Sequence, residues 1–306
     1  MLPNFIIIGA GKSGTTTLYE WLKQHPEVYM SPVKETNFFA LEGEDVSEKT
    51  NDPKQLKHYP WSVTERNAYE DLFGEVSNEK AVGEVSPMYL YSDKAAYKIK
   101  ETIPNVKIIA ILRQPADRLH SRYMHLARES RQPAENYDQV FDKDSIWWER
   151  DDLVREGFYG QYLQKYYDLF DKQNIKVFLY EDLKNDPHAL LKELFGFLDI
   201  DPNFQVDTSI KFNPSGKIKN PVLDKFIGQN SILKSALGNA APAILNRLKE
   251  SNAARKMLMK FRTSNLEKIP MSKDLREELI NKIYGPEIKM TQQLITRDLS
   301  HWLNAN

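Results

Sequence analysis

The chain is punctuated by short, nearly pure apolar runs, each followed by a polar or glycine-bearing turn and then by a segment with helical spacing. Phe5 to Ile8, Val106 to Leu112 and Ile175 to Tyr180, the last two interrupted by single lysines, read as strands of a parallel sheet buried on both faces. Weaker runs at Glu27 to Met30 and Lys80 to Val85 supply two more strands. Helices are predicted from Thr15, with Leu18 and Leu22 inward, from Pro115 through Arg128, with Leu119, Tyr123 and Leu126 as the core stripe, and from Tyr159 to Phe170. Leu275, Leu279, Ile283, Ile288, Leu294, Leu299 and Trp302 keep helical spacing to the end and read as core. This alternation predicts a three-layer α/β fold, a central and mostly parallel sheet flanked by helices. Residues 1–306 are expected to form one domain.

The first strand runs into Gly9-Ala10-Gly11-Lys12-Ser13-Gly14-Thr15-Thr16-Thr17. The first amides of a helix have no partner within it and lie at the positive end of its dipole, so a phosphate or sulfate is stabilised there. Lys12 adds a charge, and Ser13, Thr15, Thr16 and Thr17 add hydroxyls. A Walker A loop would need a glycine at position 6, where this chain has Ile6. Gly9-x-Gly11-x-x-Gly14 satisfies the dinucleotide fingerprint, with Glu35 near the place of a ribose acid. Glu35, however, follows Ser31-Pro32-Val33-Lys34 rather than ending a strand, and Lys12 crowds a pyrophosphate turn. The second candidate position is Arg113, just past an inner strand, with Ser121 eight residues on and His125 one turn further. Arg113 either grips a phosphate together with Ser121 or pairs with Asp117 at the surface. Trp147 and Trp148 either wall an acceptor cavity or pack the domain.

Composition narrows the classes. Lys and Arg total 42 against 43 Asp and Glu, so bulk charge predicts no nucleic-acid partner. The basic excess is local: residues 217–276 hold 13 Lys and Arg against four Asp and Glu. That stretch is either a solvated face or a basic lid for an anionic acceptor or acyl-carrier partner. Zero cysteines exclude a disulfide scaffold, a thiol nucleophile and a cysteine zinc site, and no other metal-ligand cluster is visible. The N-terminal apolar run is too short for a signal peptide or a membrane span, so the expectation is a soluble, cytoplasmic protein.

Lys12-Ser13-Gly14-Thr15-Thr16 with Leu18, then His25-Pro26, then Lys34-Glu35-x-x-Phe38-Phe39, resembles the 5′-phosphosulfate loop of the sulfotransferases that use 3′-phosphoadenosine 5′-phosphosulfate (PAPS), in their bacterial and heparan-sulfate branch. The Arg113 to Ser121 spacing is similar to the family's 3′-phosphate pair, Tyr180-Glu181-Asp182-Leu183 to its turn beside the adenine, and Arg297-Asp298-Leu299-Ser300-x-Trp302 to bacterial members. The resemblance implies a P-loop-like fold, PAPS as donor with PAP as product, and Lys12, Ser13, Gly14, Thr15, Thr16, Thr17, Arg113, Ser121 and Tyr180 as its cradle, with Lys217 as a closing basic residue. It implies Glu35 as general base and Lys12 on the leaving phosphate; His125, an imidazole one turn past Ser121 and suited to proton transfer near neutrality, is the other candidate base. The acceptor hydroxyl or amine would belong to a small molecule, a glycan, a lipid or a carrier-bound chain. At Glu84-Val85-Ser86-Pro87 this chain has Val85 where the heparan-sulfate branch carries a lysine, so that cation cannot be carried over. A P-loop kinase, with Asp182 as the one substitute for a magnesium-holding acid, and a non-catalytic nucleotide binder are the alternatives.

Overall fold

A computed structural model describes residues 1–46, 61–128, 131, 133–134, 136–209, 217–220, 264–267 and 269–304. Most of the basic 217–276 stretch, the side chain of Lys217 and the latter part of the Glu42 to Pro60 loop lie outside the described residues. The strands are β1 (Phe5–Gly9), β2 (Val28–Met30), β3 (Ala81–Val85), β4 (Lys107–Leu112) and β5 (Ile175–Leu179). They form one sheet in the order β2-β3-β1-β4-β5, parallel at every pairing. The expected central sheet is therefore present, with strand ends within a residue or so of those read from the apolar runs.

Alternation along the strands divides the interior into two cores. Ile6, Ile8, Val82, Ile108, Ala110 and Leu112 face one cluster, whereas Phe5, Ile7, Val85, Ile109 and Ile111 face the other. On the second face lie α1 (Thr15–Leu22), through Leu18, Trp21 and Leu22, and a helix at Pro187–Phe197, through Leu190, Leu191, Leu194 and Phe195. On the first face lie α2 (Phe38–Leu41), α3 (Arg66–Asp71), α4 (Met88–Tyr91), α5 (Ala95–Thr102), α6 (Pro115–Arg128), α7 (Ile146–Glu149) and α8 (Tyr159–Leu169). Past β5 come α9 (Tyr180–Asn185), α10 (the Pro187–Phe197 helix), α11 (Lys273–Leu279) and, after a π-helical stretch at Ile280–Tyr284, α12 (Gly285–Ile295). Leu279, Ile283, Ile288, Leu299 and Trp302 join the first core, as their spacing predicts, and Tyr284 joins them; Leu275 and Leu294 are only partly buried against it. Trp147 is fully buried there, so it packs the domain. Its neighbour Trp148 lines a cavity of about 360 Å³ with Phe141, Phe158, Lys143 and Lys282.

From β1 the chain turns to one side to build β2 and β3, then crosses to the other for β4 and β5. The reversal leaves the carboxyl ends of β1 and β4 side by side, and such a switch point is where open α/β sheets bind ligands. Gly83 shows how tightly the centre is packed. It pairs with Phe5, and a Cβ there would lie 2.2 Å from the Phe5 ring. Gly83→Ala is expected to destabilise the protein by about 1–3 kcal/mol through overpacking, seen as a lower urea midpoint at unchanged slope. Adding Phe5→Leu should recover part of that loss; a double variant as unstable as the sum of the two would show that the ring is not the obstacle.

Candidate active site

The chain leaves β1 through backbone angles that side chains disfavour. Gly9 has φ 154°, Lys12 φ 65° and Gly14 φ 106°, and glycine at two of the three reduces the cost. The loop is tied down from both sides: the Ala10 N–H donates to the Ile111 carbonyl at 2.8 Å, and the Leu18 N–H closes the first turn of α1 on the Gly14 carbonyl at 3.1 Å. Ser13, Thr15 and Thr17 are buried, whereas Lys12, Gly14 and Thr16 remain partly open. The result is a helix start flanked by a lysine, with the first-turn amides of α1 at its mouth.

Arg113 comes to the same place from β4. Its guanidinium donates to the Lys12 carbonyl at 3.3 Å and lies over the Tyr180 ring, 4.9 Å from its centre. The ring also borders the glycine turn, since a Cβ on Gly14 would lie 3.6 Å from Tyr180 Cδ2 and 3.0 Å from Leu183. Surface pairing of Arg113 with Asp117 does not occur; Asp117 instead meets Arg276 at 3.3 Å. Lys12, Gly14, Arg113 and Tyr180 are thus brought together. Ser121 is buried further along α6. His125 accompanies it on α6, hydrogen-bonded to Arg128 at 2.8 Å. Burial, then the charges of Lys12, Arg122, Arg128 and Arg131, push the His125 pKa down to about 2.

Glu35 lies on the other side of β1. After β2 the chain keeps pairing with β3, through the Ser31 N–H to the Gly83 carbonyl and the Glu35 N–H to the Val85 carbonyl, both at 2.8 Å. Glu35 (φ 62°) and Asn37 (φ 53°) are both left-handed, and the Glu35 carboxylate pairs with Lys34. Beneath this loop Glu84, wholly buried, accepts from Thr36 Oγ1 at 2.6 Å, Ser86 Oγ at 2.8 Å, Tyr69 OH at 2.8 Å and Tyr89 OH at 2.9 Å. Burial raises its pKa against those four hydrogen bonds. Val85 is also fully buried, a core residue where the heparan-sulfate branch has a lysine.

Sequence reasoning missed a buried ionic network behind the loop. Arg118, which shares a helix face with Ser121, Arg122 and His125 by the i, i+3, i+4 rule, is fully buried. It donates to Glu156 at 2.7 Å and to the carbonyls of Asp152 and Leu153. Glu156 also accepts from the Gly11 N–H at 2.6 Å, and Asp152 takes both Arg122 and Arg150. Burial leaves the Glu156 carboxyl above the ordinary range despite Arg118 and Arg122. The local signals were the acidic and basic run at residues 149–156 and the Gly157-Phe158-Tyr159-Gly160 stretch after it, and neither states which of these charges pair or with what.

A parallel sheet with a glycine turn and a helix start at its switch point, and with Arg113 reaching the Lys12 carbonyl, is a P-loop-like α/β architecture. A model described as the sulfotransferase family matches residues 3–204, and the chain belongs to that family. The bifunctional heparan sulfate N-deacetylase/N-sulfotransferase 4 of Mus musculus is 28% identical over 230 residues, 70% of this chain and 24% of that protein. The bifunctional heparan sulfate N-deacetylase/N-sulfotransferase 1 of Caenorhabditis elegans is 28% identical over 284 residues, 88% of this chain and 30% of its own length. The chain therefore spans between about a quarter and a third of the length of these curated relatives. The crystal structure of a sulfotransferase from Alicyclobacillus acidocaldarius is 27% identical and superposes with a TM-score of 0.68 over 99% of both chains. Among the described residues no helix is long and apolar enough to cross a membrane.

The network makes a pH-dependent prediction. Burial alone would raise the Asp152 carboxyl, but the Arg122 charge and the Arg150 hydrogen bond outweigh it and hold the group well below the usual carboxylate range. A carboxyl depressed on folding contributes stability in full above its unfolded pKa of about 3.9 and loses it as pH falls through the folded value. Asp152→Asn should cost about 3 kcal/mol at neutral pH, the cost of breaking a buried pair. In urea titrations the gap to the native protein should narrow below about pH 4; a gap that stays constant into acid would show that the charge of Asp152 is not what stabilises.

Proposed function

We propose that the chain transfers the sulfuryl group of PAPS to an alcohol or amine. The observation that carries this reading is the meeting of Lys12, the start of α1, Arg113 and Tyr180 at the switch point of the sheet. The donor set fits a nucleotide carrying two anionic ends: a lysine, helix amides and loop hydroxyls on one side, an arginine with a buried helix serine on the other. Burial first, and then the charges of Lys12, Arg122, Arg128 and Arg131, lower the His125 pKa, so basic groups gather along this part of α6. When bound, PAPS supplies an activated sulfuryl group on a phosphate leaving group.

The roles of the chain's own residues follow. Lys12 and the first-turn amides of α1, with Ser13, Gly14, Thr15, Thr16 and Thr17 shaping the turn, hold the 5′ end and balance charge that grows on the departing phosphate oxygen. Arg113 and Ser121 hold the 3′-phosphate, and the Tyr180 ring lies where an adenine can stack. Lys217, whose backbone is in a short strand at Lys217–Ile218, remains a candidate closing residue. Glu35 takes the acceptor's proton. A histidine with its pKa pushed to about 2 is a poor proton acceptor near neutrality, so His125 acts as a neutral hydrogen-bonding group beside Lys12. Asp182, the one candidate for a kinase's magnesium-holding acid, is already engaged: it pairs with Arg297 and accepts from the Leu179 N–H at 2.8 Å. The acceptor is an open class, glycan, lipid, carrier-bound or small molecule; the named heparan-sulfate relatives favour a glycan, whereas Val85 removes one cation of that branch. The packing of 279–302 on the sheet's core supports reading residues 1–306 as one catalytic domain.

Thermal melting with PAP, ADP, ATP plus magnesium, and NAD tests the cofactor. A ligand at about 100 times its dissociation constant adds roughly 2.7 kcal/mol of stability. PAP should stabilise most, and Arg113→Ala should lose the PAP shift; stabilisation by ATP with magnesium and none by PAP would transfer the assignment to a kinase. Glu35→Gln should retain the PAP shift and lower turnover by about 10²–10⁴-fold, the usual contribution of general-base catalysis. Undiminished turnover would remove Glu35 from that role.

A further inference from the structure

A carboxylate facing the backbone of an anion-binding loop is electrostatically unexpected, because it competes with the ligand for the same donors. Glu156 does this from a short turn at Arg155–Gly157, only 3% exposed. Its Oε1 takes the Gly11 N–H at 2.6 Å, and its Oε2 takes Arg118 Nη1 at 2.7 Å. Arg118 lies on α6, the helix that begins just past Arg113 and carries Ser121. One carboxylate therefore joins the loop at the end of β1 to the helix after β4. Its partner guanidinium, also bonded to the carbonyls of Asp152 and Leu153, balances the charge from the side away from the loop. Gly11 is not in the left-handed region, and a Cβ there would lie 2.7 Å from Glu156 Oε1. The glycine is required by the carboxylate rather than by the backbone.

We propose that Glu156 is a positioning residue for the nucleotide cradle, fixing the span between the 5′ site at the Gly9–Gly14 loop and the 3′ site at Arg113 and Ser121. It acts through Gly11 and Arg118. The inference rests on the PAPS reading and adds to it a residue that sets how well the two phosphate sites match one ligand. A ligand that engages both ends depends on that span, whereas a ligand that engages one end does not.

The test is calorimetric titration of the full chain with PAP, which has both phosphates, and with AMP, which lacks the 3′-phosphate, for the native protein, Glu156→Gln and Glu156→Asp. In Glu156→Gln the amide keeps an oxygen for Gly11 but turns a donor toward Arg118. PAP affinity is expected to fall at least tenfold and AMP affinity less than threefold, with Glu156→Asp, which keeps the charge, recovering part of the PAP affinity. Equal loss for both ligands, or unchanged PAP affinity, would overturn the proposal. If Glu156→Gln does not fold, Gly11→Ala gives the same reading, because the methyl displaces the carboxylate and leaves the backbone angles allowed. It too should lose PAP selectively, and an unchanged PAP to AMP ratio counts against Glu156. Failure of the native protein to bind PAP would instead overturn the cofactor assignment, so the two failures are distinguishable.

Discussion

Everything at the ligand-facing edge depends on how the chain leaves β1. A strand in the middle of a parallel sheet is buried on both faces, so Phe5 to Ile8 must be apolar and the exit must occur where the sheet ends. The exit turn needs left-handed backbone at Lys12 and Gly14 and an extended positive angle at Gly9. Only then do the first amides of α1 point outward beside a lysine instead of into the sheet. β4, on the far side of the switch point, ends level with that turn, and the Ala10 N–H to Ile111 carbonyl bond sets the level. Arg113 is one residue past the end of β4, so its reach to the Lys12 carbonyl is a consequence of sheet register rather than of any local motif.

Behind the loop, three arginines share two buried carboxylates. Arg118, Arg122 and Arg150 are matched by Asp152 and Glu156 in a buried network. Buried pairs of this kind add little net stability over an apolar core, because desolvation consumes most of the attraction. Their directional bonds nevertheless fix α6, the Arg155–Gly157 turn and the loop relative to one another. His125 lies among these basic groups: burial first, and then the charges of Lys12, Arg122, Arg128 and Arg131, lower its pKa.

The fold was legible because it is written in local pattern. The Val106 to Leu112 run, the Pro115 at the head of α6 and the helical spacing from Leu275 to Trp302 each state an element within a few residues, and parallel pairing follows from burial on both faces. The loop and Arg113 were legible for the same reason, each being a strand end followed by a helix start. What could not be read was long-range pairing. Arg118 shares a face of α6 with Ser121, Arg122 and His125, and its burial depends on Glu156, 38 residues later. Glu84 reads as the polar end of a strand, yet its four hydroxyl partners come from Thr36, Tyr69, Ser86 and Tyr89, scattered over three segments. No periodicity encodes such contacts, because each is fixed only after the layers have packed.

Glu84 and Glu35 show how that packing assigns different work to two carboxylates. Left-handed residues other than glycine cost roughly 1–3 kcal/mol each when held there, and Glu35 and Asn37 both adopt that conformation. Something must hold the segment between them. Glu84 does, through Thr36, while Ser86 Oγ, itself donating to Glu84, accepts the Asn37 N–H at 3.1 Å. All four donors to Glu84 are hydroxyls of the scaffold, and the carboxyl is wholly buried among them. Glu35 is one residue from Thr36, partly open to solvent and paired with Lys34. The buried acid thereby fixes the backbone on which the accessible acid stands, through hydrogen bonds made beneath it.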